Sequence, residues 1–439
     1  MTTPPPADAP RASSASAPSP ADAVVRDLRA LPKGHLHLHM EAAIRPDSLA
    51  DMAAASGVIV PMPTSFGDFS EFSATYQGML VVLAESENLF RLIDEAIEDC
   101  ADEGVAYVEF GASPQFYVAT FGSLDASLRA MLAACAESGE RWGVEVGLMI
   151  TVDRTESVEA ANELAHLAAA YADRGVVSLG LANDERGNPA ARYEEAFRIA
   201  KHAGLLSTPH AGELAGPDQI EEALDVLGAD RVLHGVTAVQ SEPLMARLAA
   251  EGVCLDVCLT SNVLLSVIPT IEDHPLKRLV EAGVRCSINA DDPILFGPGV
   301  LAEYALARPT LGLSAEQLAA RALSPVACPG ASAEPKARPA AETAAWLAGC
   351  RPPPPPPPRR RRPGGSSSRT PTSRRSTTTT PSTPAGTSSS TGHASSRSGP
   401  GPPPRGARPG SPHPGRSSVR QRRLQRRSRS SASTAGVTC

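Results

Sequence analysis

SVEAANELAHLAAAYADRGVVSLGL, residues 157–181, contains one complete turn of the pattern that decides the fold. It opens with apolar residues at helical spacing, stops on Gly175, the usual helix terminator, and continues as a short apolar strand over 176–181. The same unit recurs outward in both directions. Strand candidates fall at 35–39, 105–110, 144–151, 176–181, 206–210, 231–234, 254–258 and 285–290. Helical patterns separate them, such as ENLFRLIDEAIEDCADEG (87–104) before the second strand, with weaker spacers NPAARYEEAFRIAKHAG (188–204) and DQIEEALDVLGAD (218–230) before the fifth and sixth. Strict alternation implies parallel strands with helices outside, hence the α/β class. Eight units over roughly 260 residues match the number and length of a (β/α)8 TIM barrel. A doubly wound open sheet is the alternative, because strand count alone does not prove closure.

Composition divides the chain. Residues 1–22 are dominated by Ala, Pro and Ser, and residues 349–439 by Pro, Arg, Ser, Thr and Gly, including seven consecutive prolines. Neither end can bury enough surface to offset the entropy of ordering it, so both read as disordered extensions of a barrel domain over 23–348. Residues 351–439 hold 18 arginines and no acid, leaving 23 bases against 48 acids elsewhere. The net charge of −7 therefore hides an acidic globule and a basic tail. No stretch approaches the roughly 18 apolar residues of a membrane span, and the first residues lack a basic region followed by an apolar one. The expectation is a soluble, cytoplasmic protein with no membrane partner. Cys100, Cys135, Cys254, Cys258 and Cys286 sit in apolar patterns as buried thiols do, and no CxxC pair occurs.

The chemistry-bearing residues fall at strand ends. His35, His37 and His39 alternate with Leu36 and Leu38, so a period of two puts three imidazoles on one face of the first strand. Alone, such a run reads equally as a chance cluster or a surface metal patch. His210 ends the fifth strand, His234 ends the sixth, and Asp291 with Asp292 follow the eighth. In a barrel these carboxyl ends converge on one mouth, which points to a metal-centred site. His274, before Pro275, reads as a helix-start residue, and His166 and His202 as surface residues of helices. Cys254 and Cys258, spaced CxxxC, read as core residues on one side of a strand.

The ordered motifs PKGHLHLHMEAAIRP (32–46), HAGE (210–213), LHG (233–235) and SINADDP (287–293) resemble the adenosine deaminase family. SNVLLSVIPTIEDHPLKRLVEAG (261–283) resembles the segment that family places between strands seven and eight. The resemblance implies one Zn2+ per chain, held by His37, His39, His210 and Asp291, with a position left for a water whose pKa the ion lowers. It implies that His234 orients this water and accepts its proton. Glu213 would be a protonated acid that supplies the purine ring nitrogen beside the carbon under attack, which requires a raised pKa. Asp292 would hydrogen-bond the purine's imidazole-ring nitrogen, with Glu41, Gly212 and Asn183 as further substrate contacts. His35 stands where many relatives have an acid and reads as a residue that supports the ligands from behind or is structural, rather than as a ligand.

Departures from the family pattern cluster at the substrate pocket. The resemblance ties Asp at position 41 to adenosine-specific members and Glu to an adenine-specific branch, and this chain has Glu41, followed by Ala42 in place of the usual Gly. The fourth strand ends GLANDE (180–185), so Asn183 replaces a Gly whose backbone would approach the purine, and Leu259 replaces a Pro. The implied reaction is deamination of a 6-aminopurine: adenosine or 2′-deoxyadenosine first, then adenine or a larger nucleoside such as aminodeoxyfutalosine. A phosphoesterase or amidohydrolase on the same barrel also uses HxH ligands but commonly needs a second metal and a bridging lysine, and no Lys ends any of the eight strands. A cytidine-deaminase type is excluded, because the HxE at 39–41 has no accompanying PCxxC.

The basic tail admits two explanations. It could be an arm that neutralises nucleic-acid phosphates, making the chain a nucleic-acid-binding protein with a relic barrel. The favoured explanation is a slipped reading frame, since family likeness persists through LSAEQLAARAL (313–323), fades, and leaves an echo at ETAAWLAG (342–349). The intact ligand candidates argue for a small-molecule purine partner over nucleic acid.

Overall fold

A computed structural model of the protein describes residues 26–60, 62, 69–326 and 337–349. The extensions expected to be disordered, and the tail with its two explanations, lie outside these residues apart from Gly349. Eight strands appear: β1 (Lys33–His39), β2 (Val105–Ala112), β3 (Glu145–Asp153), β4 (Val176–Ala182), β5 (Leu206–Ala211), β6 (Arg231–His234), β7 (Cys254–Val257) and β8 (Arg285–Ile288). They form one sheet in sequence order, every neighbouring pair parallel.

Closure between β1 and β8 decides against the open sheet. Asp291 bridges Leu38: its N–H donates to His37 O at 3.1 Å, and its carbonyl accepts from His39 N at 3.1 Å. Below that bridge a side chain substitutes for the ladder, as Asn289 Oδ1 accepts from the amides of Leu36 (2.8 Å) and His37 (3.2 Å). Ala290 N–H donates to His35 Nε2 at 3.0 Å, so His35 braces the segment that carries Asp291.

The decisive stretch folds as its pattern indicates. Ser157 Oγ accepts from Ala160 N at 3.2 Å and caps the helix Val158–Ala170, which buries Ala161, Leu164, Ala165 and Ala168. Gly175, with φ +104, then turns the chain into β4. The helix Ser86–Asp102 likewise puts Leu89, Leu92, Ile93, Ala96 and Ile97 against the sheet at spacings of three and four. Between β1 and β2 the periodicity does not reveal everything: the helices Pro46–Ser56 and Phe69–Leu83 precede Ser86–Asp102, so this connection is longer than one barrel unit. Near the far end, the helix Ala337–Leu347 buries Thr343 and Trp346, and Trp346 Nε1 donates to Asp27 O at 2.7 Å. The faint family echo thus belongs to a helix docked beside the start of β1.

The barrel interior below the mouth is polar and paired. Arg231 donates to Glu109 Oε1 at 2.5 Å and lies 3.3 Å from Asp256 Oδ2, while Ser178 and Ser287 donate to Glu109 and Asp256. Such a group specifies one arrangement more than it adds stability, since desolvating the charges offsets their attraction. Cys100, Cys135, Cys254, Cys258 and Cys286 are all buried free thiols. Among the described residues no helix is long and apolar enough to cross a membrane.

Candidate active site

The parity of β1 directs His37 and His39 to the carboxyl mouth, where β5 delivers His210, β6 His234, and the segment after β8 Asp291 and Asp292. His234 and Asp291 leave their strands with φ +63 and +65, in the left-handed region that side chains other than glycine rarely adopt. That turn costs on the order of 1 kcal/mol at each position, and it aims both side chains back over the barrel axis.

One nitrogen of His37, His39 and His210 and one oxygen of Asp291 lie within 4.8 Å of one another. His37 Nε2 is 3.1 Å from His210 Nε2 and 3.1 Å from Asp291 Oδ1, and His39 Nε2 is 3.4 Å from the same oxygen. The other ring nitrogens determine what these atoms carry. His37 Nδ1 donates to Asp256 O at 3.2 Å and His210 Nδ1 to Leu181 O at 2.9 Å, because a carbonyl can only accept. In the neutral rings Nε2 is then a lone pair. Burial pushes His210 well below the ordinary histidine range and His39 down to about 4, so these rings are neutral near pH 7. Lone pairs pointed at one another and at a carboxylate repel unless a cation stands among them, so the donor set fits a metal ion.

The acid and base candidates flank this cluster. Glu213 Oε1 is 3.4 Å from His234 Nε2, which is itself 3.8 Å from Asp291 Oδ2. Burial first, then the charges of Asp291 and Glu185, holds the Glu213 carboxyl well above the usual range. Asp292 is raised likewise by burial, Asp291 and Glu213, and its buried Oδ1 has no hydrogen-bond partner. Burial thus biases both carboxyls toward the protonated, hydrogen-bond-donating form.

The mouth opens into a cavity lined by His39, Glu213, His234, Asp291, Asp292 and Asn183, with Tyr76, Ser113, Gln115 and Asp153 among its other walls. Glu41 and Gly212, expected as substrate contacts, are not among the lining residues. Glu41 is buried behind the wall, accepting from Tyr76 OH at 3.0 Å and Tyr117 OH at 3.2 Å; burial raises it to about 7. Gly212 has φ +67 and packs on Ile220 and Thr237, so backbone shape accounts for its place. Asn183 does line the cavity, at φ +83, a conformation that glycine takes freely and Asn tolerates best among the rest.

Several neighbours of the site were given no role by the sequence, although Ser261 and Glu185 lie within quoted motifs. Ser261 Oγ donates to Asp291 Oδ2 at 2.6 Å. Glu185 Oε2 accepts from three successive amides, Glu213, Leu214 and Ala215, at 2.7–3.0 Å, and fixes the turn carrying Glu213. Arg154 donates to His210 O at 2.5 Å. The cysteine pair also differs from expectation: Cys254 Sγ lies 3.5 Å from Ser324 Oγ, whereas Cys258 Sγ is 3.4 Å from His37 Nδ1, because β7 ends at Val257. Cys258 is thus a core residue that touches the donor cluster.

A parallel eight-stranded barrel that gathers three imidazoles and a carboxylate at its carboxyl rim has the architecture of the metal-dependent hydrolases. The family profile described as adenosine deaminase matches residues 32–342, and the chain belongs to that family. An adenosine deaminase of Klebsiella pneumoniae is 36% identical over 66% of this chain and 90% of its own. The crystal structure of an adenine deaminase from Arthrobacter aurescens superposes with TM-score 0.68 at 29% identity, covering 72% of this chain and 99% of that one. A Burkholderia ambifaria amidohydrolase with bound Zn superposes with TM-score 0.65 at 25% identity, covering 77% and 96%. The chain is accordingly a hydrolase of C–N bonds that deaminates aminopurines, in a metal-dependent family.

Proposed function

We propose that the protein is a zinc-dependent deaminase of adenosine or 2′-deoxyadenosine, releasing ammonia and inosine or 2′-deoxyinosine. The observation that carries this is the convergence of three Nε2 atoms and Asp291 Oδ1 beside the buried carboxyls of Glu213 and Asp292, both pushed by burial toward the protonated form. His37, His39, His210 and Asp291 would hold one zinc ion, which when bound supplies a Lewis acid that activates water near neutral pH.

The chain's own groups do the rest. Attack on the aromatic carbon drives electrons onto the adjacent ring nitrogen, and Glu213, kept protonated by burial, gives that nitrogen a proton as charge arrives. His234 faces the same spot and orients the attacking water. Asp292, whose Oδ1 lacks any partner, donates its proton in a hydrogen bond to the imidazole-ring nitrogen of the purine and so selects purines over pyrimidines. Beyond the base, Gln115 Oε1 is a buried acceptor without a partner on the cavity wall, placed to receive a sugar hydroxyl. A second reading, adenine as substrate, draws on Glu41, whose carboxyl is tied to two tyrosine hydroxyls and so does not face a ribose.

The test follows the loss of 6-aminopurine absorbance with adenosine, 2′-deoxyadenosine, adenine and aminodeoxyfutalosine, with and without chelator. Chelation should abolish turnover and added Zn2+ restore it. Activity indifferent to chelation would refute the zinc assignment, and preference for adenine would transfer the reading to the free base.

A further inference from the structure

His234 sits at the end of a hydrogen-bonded chain that leaves no freedom in where its proton lies. The chain begins at a backbone amide. Leu276 N–H donates to His274 Nδ1 at 3.2 Å, and a nitrogen that accepts cannot also carry the ring proton. The proton of His274 is therefore on Nε2, which lies 3.2 Å from the Asn262 side chain. An N–H must meet an acceptor, so the amide atom facing His274 is Oδ1, independent of how the two similar ends of the amide are placed. That orients Nδ2 toward His234 Nδ1, 3.1 Å away. An NH2 group can only donate, so His234 Nδ1 accepts and the ring's proton is on Nε2.

All three side chains are buried, at 0–3% exposure, so water does not compete for these bonds. Nε2 is the atom that faces Glu213 Oε1 at 3.4 Å and Asp291 Oδ2 at 3.8 Å. His234 thus differs in kind from His37 and His210, whose Nδ1 atoms donate to carbonyls and whose Nε2 atoms are lone pairs. The difference explains which of the geometrically possible donor groups is the metal set. The grouping of His234 with Glu213 and Asp291 satisfies distance but would need a lone pair on Nε2, the atom that bears the proton.

We propose that His274 and Asn262 are positioning residues that lock His234 as the Nε2–H tautomer, so that it meets the attacking water as a donor to its oxygen. This rests on the deaminase reading and changes one role within it. The resemblance to the family implies that His234 accepts the water's proton; with Nε2 already protonated, the O–H bond that breaks in the water must hand its proton to the Asp291 carboxylate, whose Oδ2 lies 3.8 Å from His234 Nε2. His234 holds the oxygen in place while that proton leaves.

The experiment uses the full chain, zinc-loaded and labelled with 15N-histidine, and reads the one- and two-bond pattern of ring nitrogens and carbon-bound protons, which distinguishes the tautomers. The His234 signals are assigned by their absence in His234→Gln. Wild type should show the Nε2–H pattern. Asn262→Asp, which keeps an acceptor for His274 but replaces the NH2 with an acceptor, should switch His234 to Nδ1–H and lower kcat about 10²-fold with KM changed much less. His274→Gln, which retains a donor toward Asn262, should keep most of kcat, whereas His274→Leu frees the amide to flip and should lose it. An Nδ1–H pattern in wild type overturns the proposal, as does an Asn262→Asp variant with unchanged kcat; the wild-type spectrum decides even if a variant fails to fold. A chain inactive on every aminopurine yet showing Nε2–H would refute the deaminase reading and uphold the lock.

Discussion

Gly212→Ala tests whether the turn that carries Glu213 is held by backbone shape. Gly212 lies between His210 and Glu213 with φ +67, and its carbonyl accepts from Thr237 N (3.1 Å) and Thr237 Oγ1 (3.0 Å). A Cβ built there would stand 2.4 Å from Ile220 Cδ1, 2.5 Å from Ile220 Cγ1 and 2.7 Å from Thr237 Oγ1. Real Cβ atoms do not approach so closely, and Ile220 is fully buried in the helix Pro217–Asp225. Alanine therefore meets two costs: about 1 kcal/mol for the left-handed backbone and about 1–3 kcal/mol for overpacking. Together these come to about 2–4 kcal/mol, a fall in Tm of about 3–6 °C for a domain of this size. Relief of the clash displaces the Glu213 turn, so kcat falls by about ten-fold or more. Ile220→Val removes the nearest of the three atoms and should recover about 1 kcal/mol in the double variant, while the backbone cost stays. Scanning fluorimetry and steady-state deamination on wild type, both single variants and the double variant measure all of this. If Gly212→Ala melts with wild type, or if Ile220→Val is merely additive with it, the packing account is refuted.

Three further outcomes are expected. Asn183→Gly should be more stable than Asn183→Ala by about 1 kcal/mol, because φ +83 strains Ala and both lose the bonds to Asp153 Oδ2 and the Asp184 amide; equal denaturation midpoints would remove the strain argument. Glu213→Gln should lower kcat about 10²–10⁴-fold with fold and metal content intact, since an amide can hydrogen-bond the purine but cannot protonate it; a loss under ten-fold would displace Glu213 as the acid. Lys33 is buried with Nζ donating to Leu28 O and Leu31 O at 2.7 Å, and burial lowers it to about 7. Between that value and 10.5 the unfolded chain binds more protons than the folded one, so stability rises with pH. Relative to Lys33→Met, wild type should gain up to about 3 kcal/mol from pH 7 to 9.5 in urea titrations, and a flat difference would place Lys33 in water.

The parts of this molecule legible in its sequence are those that depend on period. Alternation of two against three and four marks each strand and helix of 157–181, and the same alternation carries His37, His39, His210, His234 and Asp291 to strand ends, hence to one mouth. Closure is not periodic. It depends on Asn289 turning its side chain to stand in for a ladder partner of Leu36 and His37, and on Asp291 leaving β8 with positive φ. The wall formed by Tyr76 was hidden because it comes from a helix inserted between β1 and β2, where no barrel unit calls for one. Glu41 shows the limit most plainly: the motif places it beside the histidines but does not show that its carboxyl accepts from two tyrosine hydroxyls distant in sequence.

The same limit separates composition from polarity at the centre of the site. Five residues that can bind protons or metal meet within a few ångströms, and a motif is enough to name them. Which of their atoms carry protons depends on Asp256 O, Leu181 O, Asn262 and His274, two of them backbone groups that have no side-chain identity to recognise. A carbonyl behind a histidine makes it a ligand; an amide NH2 behind a histidine makes it a donor. Because the two cases use the same residue type near the carboxyl ends of neighbouring strands, exchanging the amide at Asn262 for a carboxylate should convert one into the other without moving an imidazole.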